Sequence, residues 1–292
     1  MTMASNPLHG LWTLTDRELK KWYKAPVVLI VTLIQPIVWL AFFGKSMNMA
    51  SIFTNGSVNI PGLNIPKQII DQIAQAYLKS TFGTTDYFSF LAASMVAQIT
   101  FFTAMNSGMS IVWDRRLGVL DKLLTTPVPR GSIIMGKVLN SVLRSLAQAT
   151  IVLIIATLLG MKFNTSLTPL GFALSIVGVY AALTLLALGF SALYLTLALR
   201  STNWQSQMAI INLLNMPLMF ASNSFYPIKM MPWWLRPIAY INPLTYVNDV
   251  TRGLLLGIST FSVPMDFLYL AVFAIAFSAI GIVLSWRFLS EG

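Results

Sequence analysis

The chain has 292 residues, of which 56% are hydrophobic and 10% charged, with a formal charge of +10 and a mean hydropathy of +0.73. Soluble domains carry about a quarter charged residues, so this composition excludes an ordinary soluble enzyme and points to an integral membrane protein. Cysteine is absent, which excludes disulfides and thiolate chemistry.

Residues 7–24 read PLHGLWTLTDRELKKWYK, with Leu8, Leu11, Trp12, Leu19, Trp22 and Tyr23 at helical spacing and Arg17, Glu18, Lys20, Lys21 and Lys24 between them. This pattern predicts an amphipathic helix lying in the membrane interface, within an N-terminal segment 1–25. It has no small-residue cleavage site and does not read as a removed signal. Beyond it the charges cluster between long apolar runs. Crossing a ~30 Å hydrocarbon core takes about 20 helical residues. Six runs meet that length, predicting spans at 26–44, 88–112, 138–161, 171–199, 206–226 and 265–286. Gln35-Pro36 interrupts the first span and Arg144 the third, where a long cationic side chain can snorkel to the interface.

The connections differ in character. Residues 45–87 form a polar excursion rich in Asn, Gly and Ser, with a short helix expected near 66–79. Residues 113–137 hold the densest charge. Residues 227–260 contain Pro232, Pro237 and Pro243 among apolar neighbours, too broken for one span. Irregular backbone at membrane depth is tolerated only against protein or water, which predicts a re-entrant or interfacial hairpin. Trp233, Trp234 and Tyr246 suit an interface belt around it, and Asp249 and Arg252 are spaced to neutralise each other. Lysine and arginine are densest at 17–24 and 115–122, so both termini and segment 113–137 are expected on the cytoplasmic side. The basic residues follow the loops, so anionic lipid accounts for them and nucleic acid is not implied.

Gly131 to Lys137 spells G-x-x-x-x-G-K, the opening of a phosphate loop. A working loop continues with Ser or Thr and lies between a strand and a helix. Here Val138 follows and a membrane span begins, so the match reads as accidental and the chain as no ATPase by itself. In the same segment Leu117, Leu120 and Leu124 form an i, i+3, i+7 stripe, with Asp114, Arg115, Arg116, Asp121 and Lys122 around it. A short charged helix of this kind either floats on the headgroups or serves as a lever for a cytoplasmic partner.

Three segments together resemble type-2 ABC exporter permeases, which export drugs, polysaccharides and lipids. DRRLGVLDKLLTTPVPRGSIIMGKVL is similar to their cytoplasmic coupling loop. FYPIKMMPWWLRPIAYINPLTYVNDVTRGLLLG is similar to their outer hairpin, and the amphipathic helix precedes the first span as it does in the family. The resemblance implies an all-α, six-span subunit of the cell membrane, bacterial or archaeal, working as a homodimer above two ABC ATPase subunits. It places ATP and magnesium on those ATPases, with no cofactor and no metal in this chain. It assigns ATPase docking to Asp114, Arg115, Arg116, Leu117, Leu120, Asp121 and Leu124. An outer gate would comprise Trp233, Trp234, Asn242, Pro243 and Tyr246, although an ordinary interfacial hairpin explains that segment equally well.

Polar side chains inside spans face a cavity or a neighbouring helix. Gln98, Asn106, Asn212, Asn215 and Asn223 are therefore the candidates for a substrate path, with simple interhelical hydrogen bonding as the alternative. An ion-coupled secondary transporter is the competing function. It would be expected to carry carboxylates in the span interiors, and this sequence supplies none there.

Overall fold

A computed structural model describes residues 7–44, 67–125, 130–200 and 203–290, and among these every regular element is helical. The amphipathic segment is α1 (Pro7–Tyr23). The first long run is α2 (Pro26–Val38), continued by a π-helical turn at Trp39–Gly44. Pro36 explains the change of winding. It lacks an N–H and crowds the preceding turn, so the Trp39 N–H is shared between the carbonyls of Gln35 and Pro36. The remaining helices are α3 (Lys67–Phe82), α4 (Tyr87–Arg116), α5 (Val119–Leu124), α6 (Arg130–Leu158), α7 (Pro169–Arg200), α8 (Trp204–Phe220), α9 (Arg236–Ile241), α10 (Pro243–Leu256) and α11 (Val263–Ser290).

Helix ends follow local chemistry. Asn203 accepts the Gln205 N–H at the start of α8, and Asn242 accepts the Leu244 N–H at the start of α10, where Pro243 takes the first helical position. Gly257 ends α10 in a left-handed turn (φ 73°), with the Ile258 N–H returning to the Arg252 carbonyl.

Helix α4 is the axis of the bundle. Every residue from Tyr87 to Met105 is buried, so α4 is covered on all sides by α2, α6, α7, α8 and α10. A helix that is apolar around its whole circumference has to be enclosed. Close approach depends on small residues. A methyl group at Gly108 would stand 2.6 Å from the Tyr194 carbonyl oxygen, so α4 and α7 meet there backbone to backbone. Ser191 on α7 also donates to Ser141 on α6 at 2.8 Å.

The two ends of the bundle are distinct. At one end Asp114 of α4, Lys137 of α6 and Lys21 of α1 come together, and Arg115 reaches the last turn of α7 at Leu199. At the other end Ser89 accepts the Lys162 N–H, the Asn164 N–H donates to Leu255, and the tyrosine hydroxyl of Tyr87 donates to the Phe225 carbonyl. Among the described residues, four helical stretches are long and apolar enough to cross a bilayer, within Gln68–Arg116, Gly131–Leu158, Pro169–Leu199 and Val263–Leu284. The expected first and fifth spans are the proline-containing α2 with its π turn and the 17-residue α8, which fall short of that standard. The helix expected near 66–79 is α3, while residues 45–66 of the polar excursion lie outside the described residues.

The α4–α7 contact yields a test. Gly108→Ala pushes a methyl into a backbone carbonyl that cannot swing aside, an overpacking error of about 1–3 kcal/mol. The purified protein is expected to melt several degrees lower, and Gly108→Val lower still; unchanged thermal unfolding of both would contradict the close approach.

Candidate functional site

The segment between α4 and α6 carries the charge cluster, and the structure sorts its residues by direction. Gly118 adopts a positive φ of 64°, which ends α4 and swings the chain into α5. The expected leucine stripe is divided by that turn. Leu117 belongs to the end of α4 and is 67% exposed, whereas Leu120 is 3% exposed and packs with Ile111, Ile133, Val138 and Leu199 inside the bundle. Leu120 therefore faces its own subunit, which corrects the single outward stripe. The side chains of Asp121 and Leu124 lie outside the described residues. Outward from the same end point Arg116, over the Trp113 ring at 5.7 Å, and Lys122.

Asp114 also turns inward. It is buried, accepts the Lys137 ammonium at 2.5 Å and lies 3.8 Å from Lys21 of α1. Lys137 takes a second bond to Ser110 at 3.2 Å. The residue that resembled a phosphate-loop lysine thus neutralises a buried carboxylate. The glycine before it serves helix packing. A methyl at Gly136 would come within 3.2 Å of the Leu14 side chain, so α1 rests on α6 at that point. Thr15 of α1 is fully buried there and donates to the Leu11 carbonyl at 2.8 Å. The face of α1 turned to the bundle therefore includes Leu14 and Thr15, while Trp12 and Tyr23 remain exposed. On the exposed side, Asp16 bonds Lys20 at 2.5 Å and raises the pKa of its ammonium.

A groove of about 450 Å³ opens beside α4, between α2 and α8. It brings together three of the five expected path residues, Asn106, Asn212 and Asn215, and adds Gln35 of α2 and Arg144 of α6. Thr32 and Thr103 border it and are joined through the buried Gln148: Thr103 Oγ1 donates to Gln148 Oε1, and Gln148 Nε2 donates to Thr32 Oγ1 at 2.7 Å. Sequence reasoning missed Gln148 and Gln35 as site residues. Gln35 carries the same signal as Gln98, an amide within an uncharged run, and Gln148 lies one turn after Arg144 in a run that is otherwise uncharged.

The other two path residues lie elsewhere. Gln98 is buried within α4 with neither amide atom bonded, and Asn223 lines a polar cleft at the far end. Arg144 of α6 turns toward α1: its guanidinium lies 5.5 Å from the centre of the Trp22 ring.

The proline-rich segment forms two short helices, α9 and α10. At 14 residues, α10 is about 21 Å long and too short to cross a bilayer. It is nonetheless buried against α4, α7 and α11. Asn242 donates to the carbonyls of Leu218 (2.6 Å) and Ala221 (3.1 Å), fastening the end of α8, and Pro243 is buried beside it. Tyr246 donates to the Tyr240 carbonyl and stacks on Tyr269 with centroids 3.9 Å apart. Trp233 and Trp234 are exposed.

The expected Asp249–Arg252 pair does not form. Arg252 donates to the carbonyls of Phe90, Asn223 and Ser224 and to Ser94, and lies over the Phe90 ring. Asp249 instead accepts the backbone N–H groups of Thr260 and Phe261 at 2.7–2.9 Å. Each charge holds its own loop. Asp266, the charge that bounds the last apolar run, is buried in the first turn of α11 and so stands at the end of that helix and not in its middle.

The family described as ABC-2 type transporter matches residues 9–256, which includes both the charge cluster and the hairpin. The chain belongs to the ABC-2 type transporter family. It is 31% identical over 240 residues to the putative transport permease ycf38 of Porphyra purpurea, covering 82% of this chain and 71% of that protein. It is 31% identical over 173 residues to the probable multidrug ABC transporter permease YbhR of Escherichia coli K12, covering 59% of this chain and 45% of YbhR. Identity to the daunorubicin resistance ABC transporter permease protein DrrB1 of Streptomyces coeruleorubidus is 26%, over 61% of each chain. The ABC-2 chain is thus a multi-pass membrane subunit of an ABC transporter, and membership in the family implies an ABC ATPase partner. Plastid proteins stand among the relatives beside bacterial ones, so the family is not restricted to bacteria and archaea.

The buried ion pair is directly testable. Removing one partner of such a pair costs about 3–5 kcal/mol, whereas replacing both with apolar groups of similar size is close to neutral. Lys137→Met and Asp114→Leu are each expected to lower the yield of folded protein sharply, and the double variant to recover most of it. Two independent, additive losses would show that the pair is not a unit.

Proposed function

We propose that the chain is the membrane-spanning permease of an ATP-driven exporter, carrying an amphipathic or hydrophobic substrate out of the cytoplasm or the inner leaflet. The groove beside α4 carries this reading. Gln35, Asn106 and Asn212 are exposed on it, and exposed amides facing lipid are disfavoured at membrane depth. A water-filled path completed by a second permease would cover them. Under this reading α2 with its π turn, α4, α6, α7, α8 and α11 make six spans, both termini are cytoplasmic, and the subunit works as a dimer above two ATPases. ATP and magnesium act on the ATPases. The ATPase seat is the outward surface of Arg116, Leu117 and Lys122, and the α9–α10 hairpin closes the outer end.

Two experiments test this. The cysteine-free chain accepts single cysteines, and those at Thr125 and Ser259, both exposed, should label from opposite sides of the membrane. Labelling from the same side would sink the topology. At the docking surface, Leu117→Asp should abolish co-purification with the ATPase and leave folding intact, whereas Leu120→Asp should destabilise the permease itself, because a buried carboxylate without a partner is costly. Normal assembly by the Leu117 variant would remove the seat from that surface.

In the groove, Asn212→Trp fills the space from an exposed position. Substrate export is expected to fall at least tenfold with assembly unchanged. Export at the parent rate would place the path elsewhere.

A further inference from the structure

Among the described residues, Arg144 is the one charged side chain that lines the groove. Its Nε is buried without a hydrogen-bond partner, and among the described residues the guanidinium enters no ion pair. It lies over the Trp22 ring, a contact that uses none of its N–H donors. Glu18, the acidic group whose field reaches it, is already bonded to Lys21 at 2.8 Å. A buried donor left unmet is unfavourable by the full cost of its desolvation. An arginine fork matches the paired oxygens of a phosphate or carboxylate better than any other side chain does.

The surroundings favour the same ligand. Gln35, Asn106, Asn212 and Asn215 place neutral amides beside the guanidinium; the Asn106 NH2 already donates to the Phe102 carbonyl at 2.8 Å, and the Asn215 oxygen has no partner among the described residues. Phe102 and Met105 give the groove apolar wall. Its volume of about 450 Å³ falls in the range that holds a drug-sized molecule. Among the described residues no carboxylate lines it, so an ammonium headgroup would meet an unopposed positive charge.

We infer that the groove selects amphiphiles with an anionic oxygen headgroup, anchored by Arg144, with the apolar tail against α4. The inference rests on the reading of the groove as the substrate path and names the class of molecule that enters it. A leaflet lipid and a free amphiphile share this headgroup chemistry.

The test uses the full chain in phosphatidylcholine nanodiscs and three twelve-carbon probes: dodecyl phosphate, dodecyltrimethylammonium and neutral dodecyl maltoside. Dodecyl phosphate is expected to bind at least tenfold more tightly than the ammonium probe. Arg144→Gln should erase that preference, Arg144→Lys should keep part of it, and Trp22→Phe should leave it in place, because the charge remains. Asn212→Trp should weaken all three probes together. Replacing part of the phosphatidylcholine with phosphatidylglycerol distinguishes the sources. Competition with dodecyl phosphate supports a leaflet lipid as occupant, and its absence supports a free amphiphile. No preference in the parent, or a preference that survives Arg144→Gln, overturns the inference. If Asn212→Trp weakens the probes while Arg144→Gln changes nothing, the path stands and the headgroup assignment fails. If Asn212→Trp has no effect on binding, the groove is not the path.

Discussion

A peptide group in hydrocarbon has no water to bond, so every break in a helix has to be repaired from within the protein. This chain interrupts its helices repeatedly, at Pro36, at the end of α8 and through the 232–243 prolines, and the polar side chains that looked anomalous are largely the repairs. Asn242 satisfies the carbonyls at the end of α8, and Arg252 gathers three carbonyls from α4 and the 223–224 turn. Asp249 satisfies two N–H groups of the turn before α11. Without them a 14-residue helix could not sit buried among three longer ones. The hairpin that the family resemblance treats as a gate is thus first a solved hydrogen-bonding problem.

The same constraint explains how much was legible in the sequence. Span positions follow from where charge is tolerated, and the expected 88–112 and 265–286 fall inside α4 and α11. Helix breaks follow from proline, and their positions were readable too. What could not be read is the direction a side chain takes once two elements meet. Asp249 and Arg252 are one turn apart on a helix, a spacing that suggests a pair, but buried backbone on either side competed successfully for each. The leucine stripe failed for a conformational reason. A helical wheel assumes an unbroken helix, and Gly118 rotates the register between Leu117 and Leu120.

The candidate path was half visible. Asn106, Asn212 and Asn215 share one signal, an amide in an apolar run, and they converge on one groove. Gln98 and Asn223 carry the same signal and go elsewhere. Composition along a span identifies polar side chains, while only the packing of α2 and α8 around α4 decides which of them share a cavity. Arg144 shows the converse. Packing against Trp22 accounts for the end of its side chain, yet it does not satisfy the buried Nε.

The accidental phosphate-loop motif leads to the mechanical part of the proposed function. Lys137 and Arg144 lie on α6 seven residues apart, and Asp114 and Asn106 lie on α4 eight residues apart, so each pair is separated by about 10–12 Å of rigid helix. The Lys137–Asp114 pair clamps the two helices together at the end next to α5. About two turns further in, the same helices present Arg144 and Asn106 to the groove. A partner pushing on the Leu117 surface would therefore act on a short, clamped lever whose far end is the groove wall. Lys21 joins α1 to that clamp at 3.8 Å, and Trp22 of α1 already supports Arg144. In the proposed transport cycle α1 is thus a third arm of the lever, tied at both the clamp and the groove.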